Sequence, residues 1–344
     1  MALSYEDLAP LDWPQLKCLL WEEIRPDQRD SPAWNEIAAR VNGKCILSEP
    51  QRADAYQAAF GAIARAMPGF FAEGRAGAGQ RAWVEMLYVQ AQRVFGQPRF
   101  MNLGFAGIPD GKLPIELREK DEPYRFAIQL YCQLLEHVDL RHCRVLEVGC
   151  GAAGGLDYMR GYLQPEVAVG LDIVAENFAH LRAQDQSSTP IVVVGSAEQL
   201  PFGDREFDIV VSVESSEHYY DIGQFMREAR RVLKPRGKLL LADLRWNGRY
   251  DSDWGSSRSA SEFKQQVRTA GFRLLKFDDI TQNVLRSIEI QDEAKQTWLT
   301  RCCAAGNDWK QFSEIMLCVG SRNYDRMRQG DMRYLSTVSE VVEP

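Results

Sequence analysis

Residues 145–155 read Val-Leu-Glu-Val-Gly-Cys-Gly-Ala-Ala-Gly-Gly, a hydrophobic strand running straight into a glycine-rich turn that opens a helix. The strand scarcely alternates and carries Val145, Leu146 and Val148, the pattern of a parallel strand covered on both faces. Gly149, Gly151 and Gly154 allow a sharp turn and a close approach to a ligand, because glycine has no Cβ to clash and accepts positive φ. Glu147 lies two positions before the first glycine and places a carboxylate at the strand's carboxyl end, where it can accept from a cationic amine. A bare glycine turn is the alternative for this stretch taken alone. Either way the chain is committed to an α/β fold with further strands beside this one.

Composition narrows the partners. The 344 residues are 45% apolar and 26% charged, enough for a full core in one large domain with an appendage. A net charge of -7 argues against nucleic acid as the main partner, since phosphate affinity is built from clustered Lys and Arg. No stretch reaches the roughly 18 consecutive apolar residues of a membrane span. The opening Met-Ala-Leu-Ser-Tyr-Glu-Asp lacks the basic-then-apolar order of a signal peptide, so a cytoplasmic location is expected. The cysteines at 18, 45, 132, 143, 150, 302, 303 and 318 form no Cys-x-x-Cys pair and have no histidine at metal-ligand spacing, which predicts reduced thiols and no metal site.

Residues 1–96 show helix signals and no strand pattern. Caps and periodicity place helices over 31–43, 50–67 and about 83–95, a helical extension suited to a lid, a homodimer surface or a docking module. An irregular Gly/Pro-rich segment over 99–123 leads to a helix at 124–138. From 97 onward the pattern predicts a doubly wound, mostly parallel, seven-stranded sheet. Its strands fall at 144–148, 167–173, 190–194, 207–213, 238–243, 272–280 and about 334–342, with helices from about 154 and 175 and at 222–233 and 261–270. The last strand is expected antiparallel at the sheet edge. A helical insert over 282–330 is expected to roof the substrate site.

In such a sheet the functional residues lie at the carboxyl ends of the strands. Asp172, in Gly170-Leu-Asp-Ile173, stands about twenty residues beyond the glycine turn, where a carboxylate can take both ribose hydroxyls of an adenosine; a helix cap is the alternative. The third strand runs into Ser196-Ala-Glu-Gln-Leu-Pro-Phe202. With Leu146-Glu-Val-Gly-Cys-Gly151, Phe207-Asp-Ile-Val210 and Arg231-Val-Leu-Lys-Pro-Arg-Gly237, these blocks resemble a class I S-adenosylmethionine-dependent methyltransferase in family order. The resemblance implies that Glu147, Gly149, Cys150, Gly151, Asp172, Ile173, Ser196, Ala197, Glu198 and Val213 surround S-adenosylmethionine. One departure is Ser196, where the family usually carries an aspartate for the adenine amino group. Val213-Glu-Ser-Ser-Glu-His-Tyr-Tyr220, Ile280-Thr-Gln-Asn-Val-Leu285 and Met101-Asn-Leu-Gly-Phe105 are similar to a narrower group. That group comprises O-methyltransferases tailoring polyketide-derived and phthiotriol-type lipid hydroxyls, and it implies Asn102 as a further cofactor-binding residue.

An alcohol nucleophile needs a base, because its pKa lies far above neutrality, and histidine suits that task. His218, one of four histidines, follows the fourth strand, with Glu214 and Glu217 available to orient the imidazole; capping of the next turn is the alternative for His218. Tyr219, Asn283 and Trp246 are placed against the substrate, with a helix cap as the alternative for Asn283. Arg245, Arg249 and Arg258 flank a Gly/Ser-rich loop that suits either solvent or the phosphate of a carrier-protein arm. The expected activity is O-methylation of a hydroxyl on a polyketide-like or lipid-like small molecule, free or tethered to an acyl carrier protein. The same cofactor face also serves C-methyltransferases of sterol or tocopherol type and non-methylating cyclases or complex components.

Overall fold

A computed structural model of the chain describes residues 98–107, 115–183, 190–219, 221–246, 259–302, 313 and 316–342. The three helices expected within 1–96, and with them the whole helical extension, lie outside the described residues. So do Tyr220, Arg249 and Arg258.

The strands are β1 (Arg144–Val148), β2 (Val167–Asp172), β3 (Ile191–Val194), β4 (Phe207–Val213), β5 (Leu233–Trp246), β6 (Phe272–Asp279) and β7 (Met332–Val341). The helices are α1 (Arg125–Leu135), α2 (Gly154–Tyr158), α3 (Ile222–Val232), α4 (Ala260–Thr269), α5 (Thr281–Cys302) and α6 (Arg322–Gln329). One seven-stranded sheet results, in the order β3-β2-β1-β4-β5-β7-β6. β1 pairs in parallel with β2 and β4, β2 with β3, and β4 with β5. The doubly wound architecture expected from the glycine turn and the strand spacing is therefore the observed one.

Period-two alternation divides each central strand between two cores. Val145 of β1 and Ile209, Val211 and Val213 of β4 face a cluster with α1 and α5 residues such as Ile128, Leu134, Val284 and Ile288. Leu146 and Val148, with Phe207 and Val210, face the opposite cluster, closed by Phe225 and Met226 of α3 and Phe263 of α4. α3 begins where Asp221 accepts from Gln224 N, and α4 begins at a capping box between Ser259 and Glu262.

Four expectations are corrected. β7 is antiparallel, but it lies between β5 and β6 rather than at the edge; β6 is the edge strand. The physical reason is burial: β7 is buried along almost its whole length, with Tyr334, Leu335 and Val338 facing inward, which an edge position would waste. β5 is longer than the expected 238–243 because pairing with β7 continues to Trp246. The element after β2 is a 3-10 helix, Ala175–Ala183, not an α-helix, and α2 passes directly into a π turn at Met159–Leu163. The opening of the 99–123 segment is ordered, with Leu103, Phe105 and Ala106 buried.

Candidate functional site

The glycine turn sits at the carboxyl end of β1 and is held from β2. Leu171 O accepts from Gly149 N at 2.7 Å and from Cys150 N at 3.1 Å. Gly149 and Gly151 take φ of 72° and 52°, a left-handed geometry that favours glycine. Asp172 ends β2 beneath this turn: its Oδ2 accepts from Gly151 N at 2.8 Å, and its Oδ1 from Val174 N at 2.9 Å and Asn177 Nδ2 at 3.0 Å. The carboxylate thus ties the turn to the start of the following helix, as the cap reading expected. Ile173 follows it, partly buried. Cys150 is buried, and its thiol fills the space beside Gly170, where a Cβ would lie 2.6 Å from Sγ.

Glu147 is buried beneath the turn. Tyr131 Oη donates to its Oε1 at 2.6 Å, while its Oε2 is buried with no hydrogen-bond partner. Burial, with Asp172 and Asp157 nearby, pushes the Glu147 carboxyl up to about 8 against the pull of the Tyr131 hydrogen bond.

Residues 98–107 form a strap across the carboxyl ends of β1 and β4. Arg99 Nη1 donates to the buried Asp121 at 2.5 Å, and a Cβ on Gly154 would lie 2.2 Å from Arg99 O. A Cβ on Gly151 would lie 2.5 Å from Met101 Cε, so Met101 rests on the glycine turn. Asn102 closes a local turn, its Oδ1 accepting from Gly104 N at 3.0 Å. Leu103 N donates to Glu214 Oε1 at 2.8 Å, and Tyr334 Oη of β7 donates to the same oxygen at 2.7 Å. Glu214 therefore latches strap and β7 together, and burial raises its carboxyl to about 7. It takes a φ of 48°, rare for a non-glycine residue, directly after β4.

The turn carrying the expected base is fixed from β5. Asp243 Oδ2 accepts from Ser216 Oγ at 2.5 Å and from Glu217 N at 3.1 Å. Arg245 Nη1 stands 3.4 Å from the same oxygen, and its Nη2 donates to Ser216 Oγ at 2.7 Å. Asp243 and Arg245 are 2% and 3% exposed, so the pair works in low dielectric and organises the Ser216–His218 turn from below. Burial and the Asp243 carboxylate push the Glu217 carboxyl well up, and the two share a hydrogen bond. His218 Nε2 lies 3.6 Å from Glu217 Oε1, too long for a hydrogen bond. Burial lowers the His218 pKa, partly offset by Asp243, which favours the neutral imidazole.

The remaining expected residues take distinct places. Tyr219 turns its hydroxyl to Ser215 Oγ at 2.9 Å and Ser212 Oγ at 3.3 Å beside the Gly149 turn. Asn283 spends its amide on Ala106 O at 2.9 Å, anchoring the strap rather than capping a helix. Glu198 accepts from Asp221 N at 2.6 Å and fixes the start of α3. Ser196 accepts from Glu198 N at 3.3 Å, and Ala197 and Val213 are buried nearby in the sheet's two cores. Trp246 ends β5 opposite Met332. Arg245 is buried against Asp243 and is not a surface phosphate contact. Asp243 is a site residue the sequence reading passed over, although it is the last residue of the expected strand 238–243 and so already stood where the strand-end rule looks. Among the described residues no group of three or more His, Cys, Asp or Glu is placed to hold a metal, and no helix is long and apolar enough to cross a membrane.

Comparison with known proteins decides the family. Residues 146–241 match the family described as a methyltransferase domain. A fatty-acid O-methyltransferase of Mycolicibacterium smegmatis is 32% identical over 236 residues, covering 68% of this chain and 80% of the relative. The chain belongs to the class I S-adenosylmethionine-dependent methyltransferases. A phthiotriol/phenolphthiotriol dimycocerosates methyltransferase of Mycobacterium ulcerans is 32% identical over 222 residues, 64% of this methyltransferase and 78% of the relative. The cyclopropane synthase MmaA2 of Mycobacterium tuberculosis shares the fold, with a TM-score of 0.57 at 17% identity over 72% of this chain and 92% of that one.

The residues present fit the cofactor. The orphaned, buried Glu147 Oε2 suits the cationic amine of its methionine part, and Asp172 stands at the strand end that serves a ribose. This leads to a pH prediction for the cofactor-free protein. Between the ordinary glutamate value and about 8, the folded state holds a proton that the unfolded chain has lost, so stability falls as pH rises across roughly pH 5–8. Glu147→Gln, which cannot ionise, should flatten this slope in thermal unfolding followed across that window. A slope identical to wild type would mean that Glu147 is already ionised in the free protein.

Proposed function

We propose that this methyltransferase methylates a hydroxyl oxygen of a lipid-like or polyketide-like small molecule, with His218 as the base. The observation that carries the reading is the half-buried His218, its pKa lowered by burial, on a turn locked by Asp243 and Arg245 directly after β4. When bound, S-adenosylmethionine supplies an electrophilic methyl on a sulfonium. The chain does the rest: α5 anchors the strap over the turn, and an imidazole nitrogen of His218 takes the hydroxyl proton as the oxygen–carbon bond forms. The fixed Ser216–His218 turn holds the base in place before substrate arrives, which is where alignment gains its effect. The M. smegmatis and M. ulcerans relatives, by name a fatty-acid O-methyltransferase and a phthiotriol methyltransferase, support a lipid-like acceptor.

The test uses a methyl-deuterated donor with long-chain hydroxy lipids, offered free and on an acyl carrier protein. Label on oxygen with release of S-adenosylhomocysteine is the expected result. Label on carbon would assign a C-methyltransferase, and binding of donor without any release would assign a cofactor-binding component that no longer transfers methyl.

A further inference from the structure

Tyr131 of α1 reaches the carboxyl end of β1 from the helical side. Its ring packs against Phe100 of the strap and Tyr158 of α2, with centroids 6.2 and 6.1 Å away. Tyr131 is 5% exposed and Glu147 1%, so the 2.6 Å hydrogen bond between them lies in the low-dielectric interior. A phenol has one hydrogen to donate, and Tyr131 spends it on Glu147 Oε1. The bond fixes the rotation of the carboxyl group and leaves Oε2, buried and without a hydrogen-bond partner, as the acceptor still to be matched. The space around the pair is full. A Cβ on Gly155 would lie 2.3 Å from Glu147 Oε1 and 2.5 Å from Tyr131 Oη, so α2 passes the pair only with glycine there.

A buried carboxylate oxygen without a partner is costly, and a cation arriving with a ligand removes that cost. We propose that Tyr131 is a positioning residue for the cofactor, holding Glu147 so that Oε2 is presented to the amine of S-adenosylmethionine. The inference rests on the fit of Glu147 to that amine and is independent of the acceptor and of His218. The charge balance supports it. Burial and the Asp172 and Asp157 carboxylates push the Glu147 carboxyl up, to about 8, while the Tyr131 hydroxyl and the Leu156 N–H act against them. Burial, with Glu147, Cys150 and Glu214 nearby, holds the phenol's own pKa well above its ordinary value, so Tyr131 remains the donor. Loss of the hydroxyl therefore leaves Glu147 protonated to higher pH. Stability of the cofactor-free protein falls as pH rises until the folded carboxyl has ionised, so in Tyr131→Phe it should go on falling above about pH 8, where wild type levels off.

The experiment titrates two ligands calorimetrically into wild type, Tyr131→Phe, Glu147→Gln and the double variant. One is S-adenosylhomocysteine; the other is methylthioadenosine, which keeps the adenosine and the sulfur but has no amino acid part. Phenylalanine keeps the ring and its packing and removes only the donor. Tyr131→Phe should weaken S-adenosylhomocysteine about tenfold, as expected for loss of a hydrogen bond to a charged group, and leave methylthioadenosine within about twofold of wild type. In the Glu147→Gln background the same change should add less than about twofold, because the carboxylate it orients is gone. Equal losses on the two ligands would make Tyr131 a packing residue and overturn the proposal, as would fully additive losses in the double variant. Glu147→Gln with wild-type affinity for S-adenosylhomocysteine would sink the amine reading of Glu147 and the role of Tyr131 with it. A loss with Glu147→Gln but none with Tyr131→Phe would sink the role of Tyr131 alone. Thermal unfolding of the cofactor-free proteins across pH gives the reading without ligand: a Tyr131→Phe curve that levels off with wild type would show that the hydroxyl has no hold on Glu147.

Discussion

Replacing His218 by alanine should lower turnover by about 10²–10⁴-fold, the usual contribution of a positioned general base, while leaving the affinity for S-adenosylmethionine close to wild type. The separation follows from where the residue sits. His218 belongs to the turn after β4, whereas Glu147, the glycine turn and Asp172, the contacts expected for the amine and the ribose, belong to β1 and β2. The pH profile provides a second reading. The imidazole must be neutral to accept a proton, and its folded pKa is lowered from the ordinary value near 6.5. The acid limb of kcat/KM should therefore fall below about pH 6.5, with a plateau at neutrality, and should disappear from the residual activity of the alanine variant. A variant that loses cofactor affinity as severely as turnover would show that His218 shapes the cofactor site and is not the base.

The second large effect is expected at Gly149. A Cβ there would stand 1.8 Å from Ser215 Oγ and 2.3 Å from Ser215 Cβ, and the residue takes a φ of 72°. Left-handed geometry and overpacking together cost roughly 2–5 kcal/mol for alanine at such a position. The damage would not stay local, because Ser215 immediately precedes the turn that bears His218. Gly149→Ala should thus lose cofactor affinity, turnover and thermal stability together. Gly203→Ala is the contrast: its nearest neighbour would be Glu206 Oε2 at 3.6 Å, an ordinary contact, and it should behave as wild type. Cofactor titration and thermal unfolding of both variants check this, and a Gly149→Ala protein that binds the cofactor normally would refute the described turn.

The parts of this site that were legible in the sequence are those fixed by local backbone chemistry. The glycine turn, Glu147 and Asp172 each follow from a strand end and a spacing, and His218 from being a titratable residue just beyond β4. What was hidden depends on pairings distant along the chain. Tyr219 sits at a strand end like His218, yet its hydroxyl turns under the sheet to Ser212 and Ser215, a rotation that no spacing encodes. Asn283 and Glu214, expected at the site from their strand ends, also hold the strap, through contacts 177 and 111 residues apart in sequence. Arg245 looked like a surface arginine in a loop; the antiparallel partner β7 carries β5 past it and buries it against Asp243. The placement of β7 was missed for a related reason, since alternation along a strand reports which face is buried but not which neighbours flank it.

That placement bears on the order in which the site can come into being. β5 and β6 cannot join until β7 slots between them, and the strap latch needs Tyr334 of β7 to reach Glu214. Both closures span large loops, whose entropy must be overcome before the contacts form. During synthesis, therefore, the turn for the cofactor can form as soon as β1, β2 and β4 have emerged. The Tyr334 side of the latch waits until the ribosome has released the stretch at 332–341, so an unfinished chain holds the glycine turn before Glu214 is fastened to β7.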